Sequence, residues 1–328
     1  MMKYKIKRFR NLLIVCLGTI ILGACGKTSD SSKKDTKILF TINDKNPFRE
    51  ILAAAAQKAA SEKGCSLDVV YAQGIIENQV KQIQQAVTDG YDAVLCSPID
   101  IDTTTELKSS SGDLPIIFAT SCPNEKHLVE DKFIYVGSDE SVAGEYQAEF
   151  VLNQLASKDE INVVLLKGPN GHSATVGRTK GIKKTLAASG KKINYIFEDY
   201  AKWSEDNAKK LFDVFLKTGK TADCIMCNND SIALGVIKSC KENNIDPSSM
   251  LILGVDATAD GCAAIQNGDM AFTVYQSGEG QGQAAVDAAI AIASGGSVKE
   301  IEGATDDKKY VWVPFEKVDS TNVTQYMK

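Results

Sequence analysis

Histidine is scarce in this chain: His127 and His172 are its only two. That leaves little material for a histidine-rich metal centre or a Ser-His-Asp triad, both of which set an imidazole among further ligands or beside a nucleophile. Cys224 and Cys227 form a CxxC, a spacing that serves redox chemistry or half of a zinc site. The surrounding run ADCIMCNND reads as a strand, where residues three apart face opposite sides, and no second CxxC or nearby histidine completes the set. No GxxxxGK[ST] occurs, and GEGQG at 278–282 lacks the last glycine of a GxGxxG fingerprint. With no paired base and nucleophile, the residues argue for binding rather than catalysis, without cofactor or metal. Arginine occurs only at 8, 10, 49 and 178 in a chain that otherwise uses lysine. An arginine retained on such a background suggests a need for a planar, bidentate donor. Arg49 either reaches a ligand or is a solvated first-turn side chain. His172 either donates to a ligand oxygen or fixes its own loop, and His127 lies in an uninvolved polar stretch.

The elements that must position these groups follow from length and patterning. At ~100–200 residues per domain, 328 residues suggest about two domains. A content of 44% hydrophobic and 24% charged residues excludes disorder, collagen-like repeats and a disulfide-dense miniprotein. A net charge of -5 excludes phosphate-driven nucleic-acid binding. From Lys37, short apolar runs alternate with helical periods: KILFTI, LDVVYA, AVLCSP, LPIIFAT and FIYVGS are strands with helices between them. Beyond a helix near 143–155 the alternation restarts with INVVLL, INYIFE, DCIMCN, MLILGV and AFTVYQ, with a helix near 232–242 ahead of MLILGV; the chain finishes with YVWVPFEKV (310–318). The pattern predicts α/β architecture, two doubly wound parallel-sheet lobes with a cleft between them. Ligands of such sheets bind beyond the carboxyl ends of the strands. The loops there include NDKNPFR (43–49), TSCPN (120–124), GPNGHSATVGR (168–178), YAKWSED (200–206), NND (228–230) and DATADG (256–261). They hold amides, carboxylates, hydroxyls, a tryptophan, a phenylalanine and both of the later arginines.

Several runs carry a resemblance. DKNPF, CSPID and VGSDESVAGEYQAEF resemble type I periplasmic-binding-protein sequence, as do NNDSIALG, LGVDATADG and FTVYQ. Their order and spacing over about 37–318 are similar to the ribose/galactose-type branch of ABC-transporter substrate-binding lipoproteins. The resemblance implies one small solute, usually a sugar, held without chemistry between lobes that close on a hinge. The expected lobes are 37–138 plus 277–310 and 139–276 plus 311–328. Matched residue by residue, Asn46 and Phe48 correspond to the polar and aromatic pair after the first strand. Trp203 corresponds to an aromatic that faces the ligand from the second lobe. Asn229, Asp256 and Gln276 correspond to the amide, carboxylate and amide after three successive strands. Flat aromatics can cover the C–H faces of a sugar ring, while planar Asp, Asn and Gln groups meet vicinal hydroxyls two at a time. Alternatively Asn46 caps the helix opening at Pro47, Trp203 packs on the hinge side, or Asp256 pairs with a backbone turn. Two departures stand out. The acidic residue and arginine usual after the fourth strand read Thr120 and Ser121, and a second ligand-binding arginine falls at Val176. Arg178 corresponds to a neighbouring family arginine that is more often structural. The expected ligand set is therefore Asn46, Phe48, Arg49, Ser121, His172, Trp203, Asn229, Asp256 and Gln276.

Residues 1–24 read as a lipoprotein signal peptide, with KYKIKRFR ahead of an apolar stretch that ends in Leu-Gly-Ala-Cys at Cys25. Cys25 is the expected lipidation site, and the polar run 25–36 a flexible tether. Seven cysteines follow, an odd number that cannot all pair internally, and buried free thiols are the preferred reading. These features place the protein outside the cytoplasm, anchored on the outer face of the cytoplasmic membrane, as a monomer that binds a sugar-like ligand and no nucleic acid. Its membrane partner is an ABC permease or, alternatively, a histidine kinase or chemoreceptor to which the ligand is presented.

Overall fold

The computed structural model describes residues 35–327, so the expected leader, Cys25 and the tether up to residue 34 lie outside the described residues. In chain order the first elements are β1 (Lys37–Ile42), α1 (Pro47–Glu62), β2 (Ser66–Tyr71), α2 (Ile76–Thr88), β3 (Ala93–Ser97), α3 (Thr104–Ser110), β4 (Ile116–Ala119) and β5 (Phe133–Gly137). Then follow α4 (Glu140–Gln154), β6 (Glu160–Lys167), α5 (Ser173–Ala188), β7 (Lys192–Tyr200), α6 (Glu205–Leu216), β8 (Cys224–Cys227), α7 (Asp230–Glu242), β9 (Leu251–Leu253), α8 (Ala259–Gln266) and β10 (Thr273–Gln276). The chain ends with α9 (Gly278–Ala293), β11 (Tyr310–Trp312) and β12 (Phe315–Val318).

The first lobe is a parallel sheet of order β11-β5-β4-β3-β1-β2. The second has a parallel sheet of order β7-β6-β8-β9, beside which β10 pairs antiparallel with β12. Isolated bridges from Leu253 to Phe272 and from Asp256 to Tyr275 bring β10 alongside β9. Near-continuous apolar strands require cover on both faces. Helices α1 and α9 bury Leu52, Ala56 and Ala289 against one face of the first sheet, and Ile83 and Leu107 cover the other. In the second lobe Phe212 and Val236 lie on one face, Val151 and Ile182 on the other. The CxxC straddles that sheet, with Cys224 in one core layer and Cys227 in the opposite one. All seven described cysteines are free, five of them buried.

The terminal strand differs from expectation. YVWVPFEKV is not one element: it breaks at Val313-Pro314, where proline has no N–H for a ladder. Its first half, β11, pairs with β5 of the first sheet and its second half, β12, with β10 of the second. Residues 311 and 312 therefore go with the first lobe, not with the second as expected. Two helices also begin about a turn earlier than read, because side-chain caps extend them. Asp139 accepts from Ser141 N at the head of α4, and Asn229 from Ile232 N at the head of α7. That brings Glu140 and Asp230 into the first turns, where both matter below. Helices α4 and α5 touch backbone to backbone at Gly144 and Gly181, where a Cβ would come within 2.0 Å of a facing carbonyl oxygen. Among the described residues no helix is long and apolar enough to cross a membrane.

Candidate ligand cavity

The loops at the carboxyl ends of both sheets converge on a cavity of about 720 Å³. All nine residues of the expected set line it: Asn46, Phe48, Arg49 and Ser121 from the first lobe, His172, Trp203, Asn229, Asp256 and Gln276 from the second and its junction. Val176 does not line it and stays 55% exposed.

The wall can be built from its elements upward. Asn46 caps α1, its Oδ1 accepting from Arg49 N at 2.9 Å, so the capping and cavity readings hold together. Arg49 is not a solvated side chain. Its guanidinium is only 13% exposed, pairs with Asp44 across the helix entrance, and has its pKa lowered by burial. After β4 the backbone enters the left-handed region at Thr120 (φ 64°), and Thr120 Oγ1 lies 2.7 Å from Ser97 Oγ. The buried Ser121 that follows faces the second lobe.

His172 fixes its own loop and also lines the cavity. It caps α5 through Nδ1, which accepts from Ala174 N at 3.2 Å. Burial, with Arg178 and Arg49 nearby, pushes its pKa down to about 4. The ring is therefore neutral with its proton on Nε2, 3.4 Å from Ser121 Oγ across the cleft. Beside it Ser173 Oγ accepts from Cys122 N at 3.2 Å. Trp203 meets the His172 ring edge-on at 5.4 Å.

The floor is ionic. Arg178, expected in a loop, lies on α5, is 4% exposed and lines the cavity. Its Nε donates to Glu140 Oε2 (2.7 Å), Nη1 to Asn228 O (2.7 Å) and Nη2 to Gln276 Oε1 (3.2 Å), with Asp256 Oδ1 at 3.5 Å. Burial raises the Asp256 pKa to about 6 against the pull of Arg178, and raises Glu140 likewise. Asn229 caps α7 with Oδ1 (3.1 Å from Ile232 N) and hydrogen-bonds Asp256. Glu140, Ser231 and Thr258 also line the cavity and carried no assignment from sequence. The lysine-rich background had marked Arg178 as unusual; nothing in its spacing revealed that the α4–α5 contact would seat it on Glu140.

Four lining residues hold backbone angles that suit glycine: Thr120, Lys202 (φ 58°), Trp203 (φ 61°) and Asp256 (φ 114°). Each costs ~1–3 kcal/mol and persists only where surrounding contacts over-determine it. Among the described residues no group of His, Cys, Asp and Glu could hold a metal ion.

Two lobes that aim planar polar groups and aromatic rings into one cleft define a solute-binding protein. Residues 38–297 match the periplasmic binding protein domain, and the chain belongs to that family. It is 29% identical over 266 residues to a Rhizobium meliloti protein described as rhizopine-binding, covering 80% of this chain and 82% of that one. It is 28% identical over 323 residues to the D-galactose/methyl-galactoside binding periplasmic protein of Haemophilus influenzae, covering 93% and 96%. A Bacillus halodurans ABC-transporter solute-binding protein with bound myo-inositol superimposes with a TM-score of 0.76 at 25% identity, covering 89% and 97%. All three are named as binding proteins.

Proposed function

We propose that this chain is the solute receptor of an ABC importer for a small sugar-like, polyhydroxylated compound. The observation that carries the reading is the convergence of Asn46, Trp203, Asn229, Asp256 and Gln276, from both lobes, on one cavity of about 720 Å³. A ring with apolar faces and a rim of hydroxyls matches such a wall. Phe48 and Trp203 cover the faces, and the carboxylate and amides take the hydroxyls in pairs. Relatives named for galactose, xylitol and ribose support the class. With Thr120, Ser121 and Val176 where sugar-binding relatives have an acid and two arginines, the ligand relies on Arg49, Asp256 and the Arg178 network for its charged contacts. Cys25 carries the lipid, and the protein works as a monomer on the outer face of the cytoplasmic membrane, handing its ligand to the permease.

A thermal-shift panel of pentoses, hexoses, xylitol and inositols tests the reading. A binder raises the melting temperature by mass action, ~2.7 kcal/mol of stabilisation at a hundredfold excess over Kd. A panel in which no compound shifts the transition refutes the ligand class. Replacing Cys25 by serine should release the protein from the membrane fraction; unchanged membrane attachment refutes the anchor.

A further inference from the structure

Asp230 is fully buried beneath the cavity and does not line it. It stands in the NND run, two of whose members already serve the site: Asn228 O holds Arg178, and Asn229 hydrogen-bonds Asp256. The polar contacts of its N–H and carboxylate bear on the segment around Asp256, directly or through Thr273. Its N–H donates to Val255 O at 2.8 Å, just before that residue. Its Oδ2 accepts from Thr258 N at 2.7 Å and from Thr258 Oγ1 at 3.1 Å, just after it. Its Oδ1 accepts from Thr273 Oγ1 at 2.6 Å, and Thr273 Oγ1 in turn accepts from Ala257 N at 3.4 Å. The residues so enclosed, Asp256 and Ala257, are the ones with φ at 114° and 49°.

We propose that Asp230 is the positioning residue for ligand binding: its backbone N–H holds the left-handed turn at 256–257 on the Val255 side, its buried carboxylate clamps the turn on the Thr258 side and through Thr273, and together they aim Asp256 into the cavity. This rests on the reading of that cavity as the ligand site. A non-glycine residue leaves such angles unless neighbouring groups hold it there. The site is shaped around the clamp: a Cβ on Gly254 or Gly261 would come within 2.1 or 2.3 Å of the Asp230 carboxylate oxygens. Among the described residues no cation pairs with it at salt-bridge distance; Arg178, whose charge acts on it through space, is spent on Glu140, Asn228 and Gln276. Burial and the Asp256 charge hold its pKa up to about 7, a cost with no counterpart in packing.

The test compares Asp230→Ala, Asp230→Asn and a control, Asp131→Asn, in the full chain. Asp131 is also a clamp, accepting from Ser297 Oγ and Val298 N, but it does not line the cavity. Backbone carbon shifts at 256 and 257 are read by NMR without ligand, and affinity by calorimetry with myo-inositol, xylitol and D-galactose. In Asp230→Ala the shifts should leave left-handed values and affinity should fall about tenfold or more, as for loss of charged hydrogen bonds. Asp230→Asn, which keeps one acceptor for Thr258, should move both readouts less. Asp131→Asn should lower the melting temperature alone. Unchanged shifts in Asp230→Ala, or an equal affinity loss in the control, overturn the proposal. If Asp230→Ala does not fold, Asp230→Asn decides: native shifts and affinity in it overturn the proposal. Should none of the three compounds bind wild type, the ligand class loses them and the shifts alone decide the clamp.

Discussion

Asp256→Asn separates the stability of the empty site from its function. The Asp256 carboxyl is raised from its ordinary 3.8 to about 6, with burial the largest cause and Arg178 opposing it. A carboxyl raised in the folded state makes its full contribution below the unfolded pKa and loses it as pH rises through the folded value. Ionising Asp256 therefore destabilises the ligand-free protein from about pH 4 upward. The loss is complete above about pH 7 and amounts to ~3 kcal/mol for a two-unit shift. Asparagine resembles the neutral acid in shape and carries no charge to bury. At pH 8 the variant should be more stable than wild type by ~1–3 kcal/mol, and near pH 4 the two should converge.

Urea denaturation of both proteins from pH 4 to 8, without ligand, reads this directly. The difference between the two curves is the informative quantity. His172, lowered to about 4, acts in the opposite sense, since its contribution is lost as pH falls below ~6.5. It is present in both proteins and cancels. Affinity should move the other way: replacing an ionised acceptor costs ~1.5–3 kcal/mol, about tenfold to a hundredfold weaker binding. A variant less stable than wild type at pH 8, or a difference that stays flat with pH, refutes the account of Asp256 as a carboxylate held at a cost for ligand.

Three further outcomes follow from the same wall. Arg178→Lys cannot reproduce three divergent guanidinium contacts and leaves Glu140 buried with a poorer partner; urea denaturation should show a loss of ~3–5 kcal/mol. Trp203→Ala removes an aromatic face from the cavity wall, and calorimetry should find affinity down by ~2 kcal/mol or more while the far-ultraviolet spectrum is kept. Arg49→Lys keeps the charge and loses the planar fork; affinity should drop several-fold, and an unchanged Kd removes Arg49 from the ligand contacts.

The architecture was readable because it depends on local pattern. β1 coincides with KILFTI to the residue, and the double alternation implies two parallel sheets. What local pattern does not encode is a break caused by pairing partners. YVWVPFEKV has strand propensity throughout; only the competition of β5 and β10 for its two halves, with Pro314 between them, divides it between lobes. Helix starts at Glu140 and Asp230 were missed for a related reason: the cap residues Asp139 and Asn229 have no apolar signal, only a side-chain oxygen in reach of the first turn.

The site divides along the same line. Groups at strand ends or on the loops that follow them, such as Gln276, Asn46 and Trp203, are legible because strand ends locate them. Groups that act through a second element are not. Arg178 became part of the cavity floor because Gly144 and Gly181 let two helices close to backbone contact, and two glycines in separate helices carry no mark of facing each other. Left-handed angles at Trp203 and Asp256 are equally silent, since neither residue type by itself calls for them. Strained angles on residues other than glycine need anchors, and at 256–257 the anchor is a polar group whose contacts run to backbone, Asp230 to Thr258 N. In this cavity the conspicuous polar residues face the space, and the less conspicuous ones beneath them hold the chain in shapes it would otherwise leave. Substitutions at the first kind should change which solute binds, and substitutions at the second kind whether the cavity keeps its form.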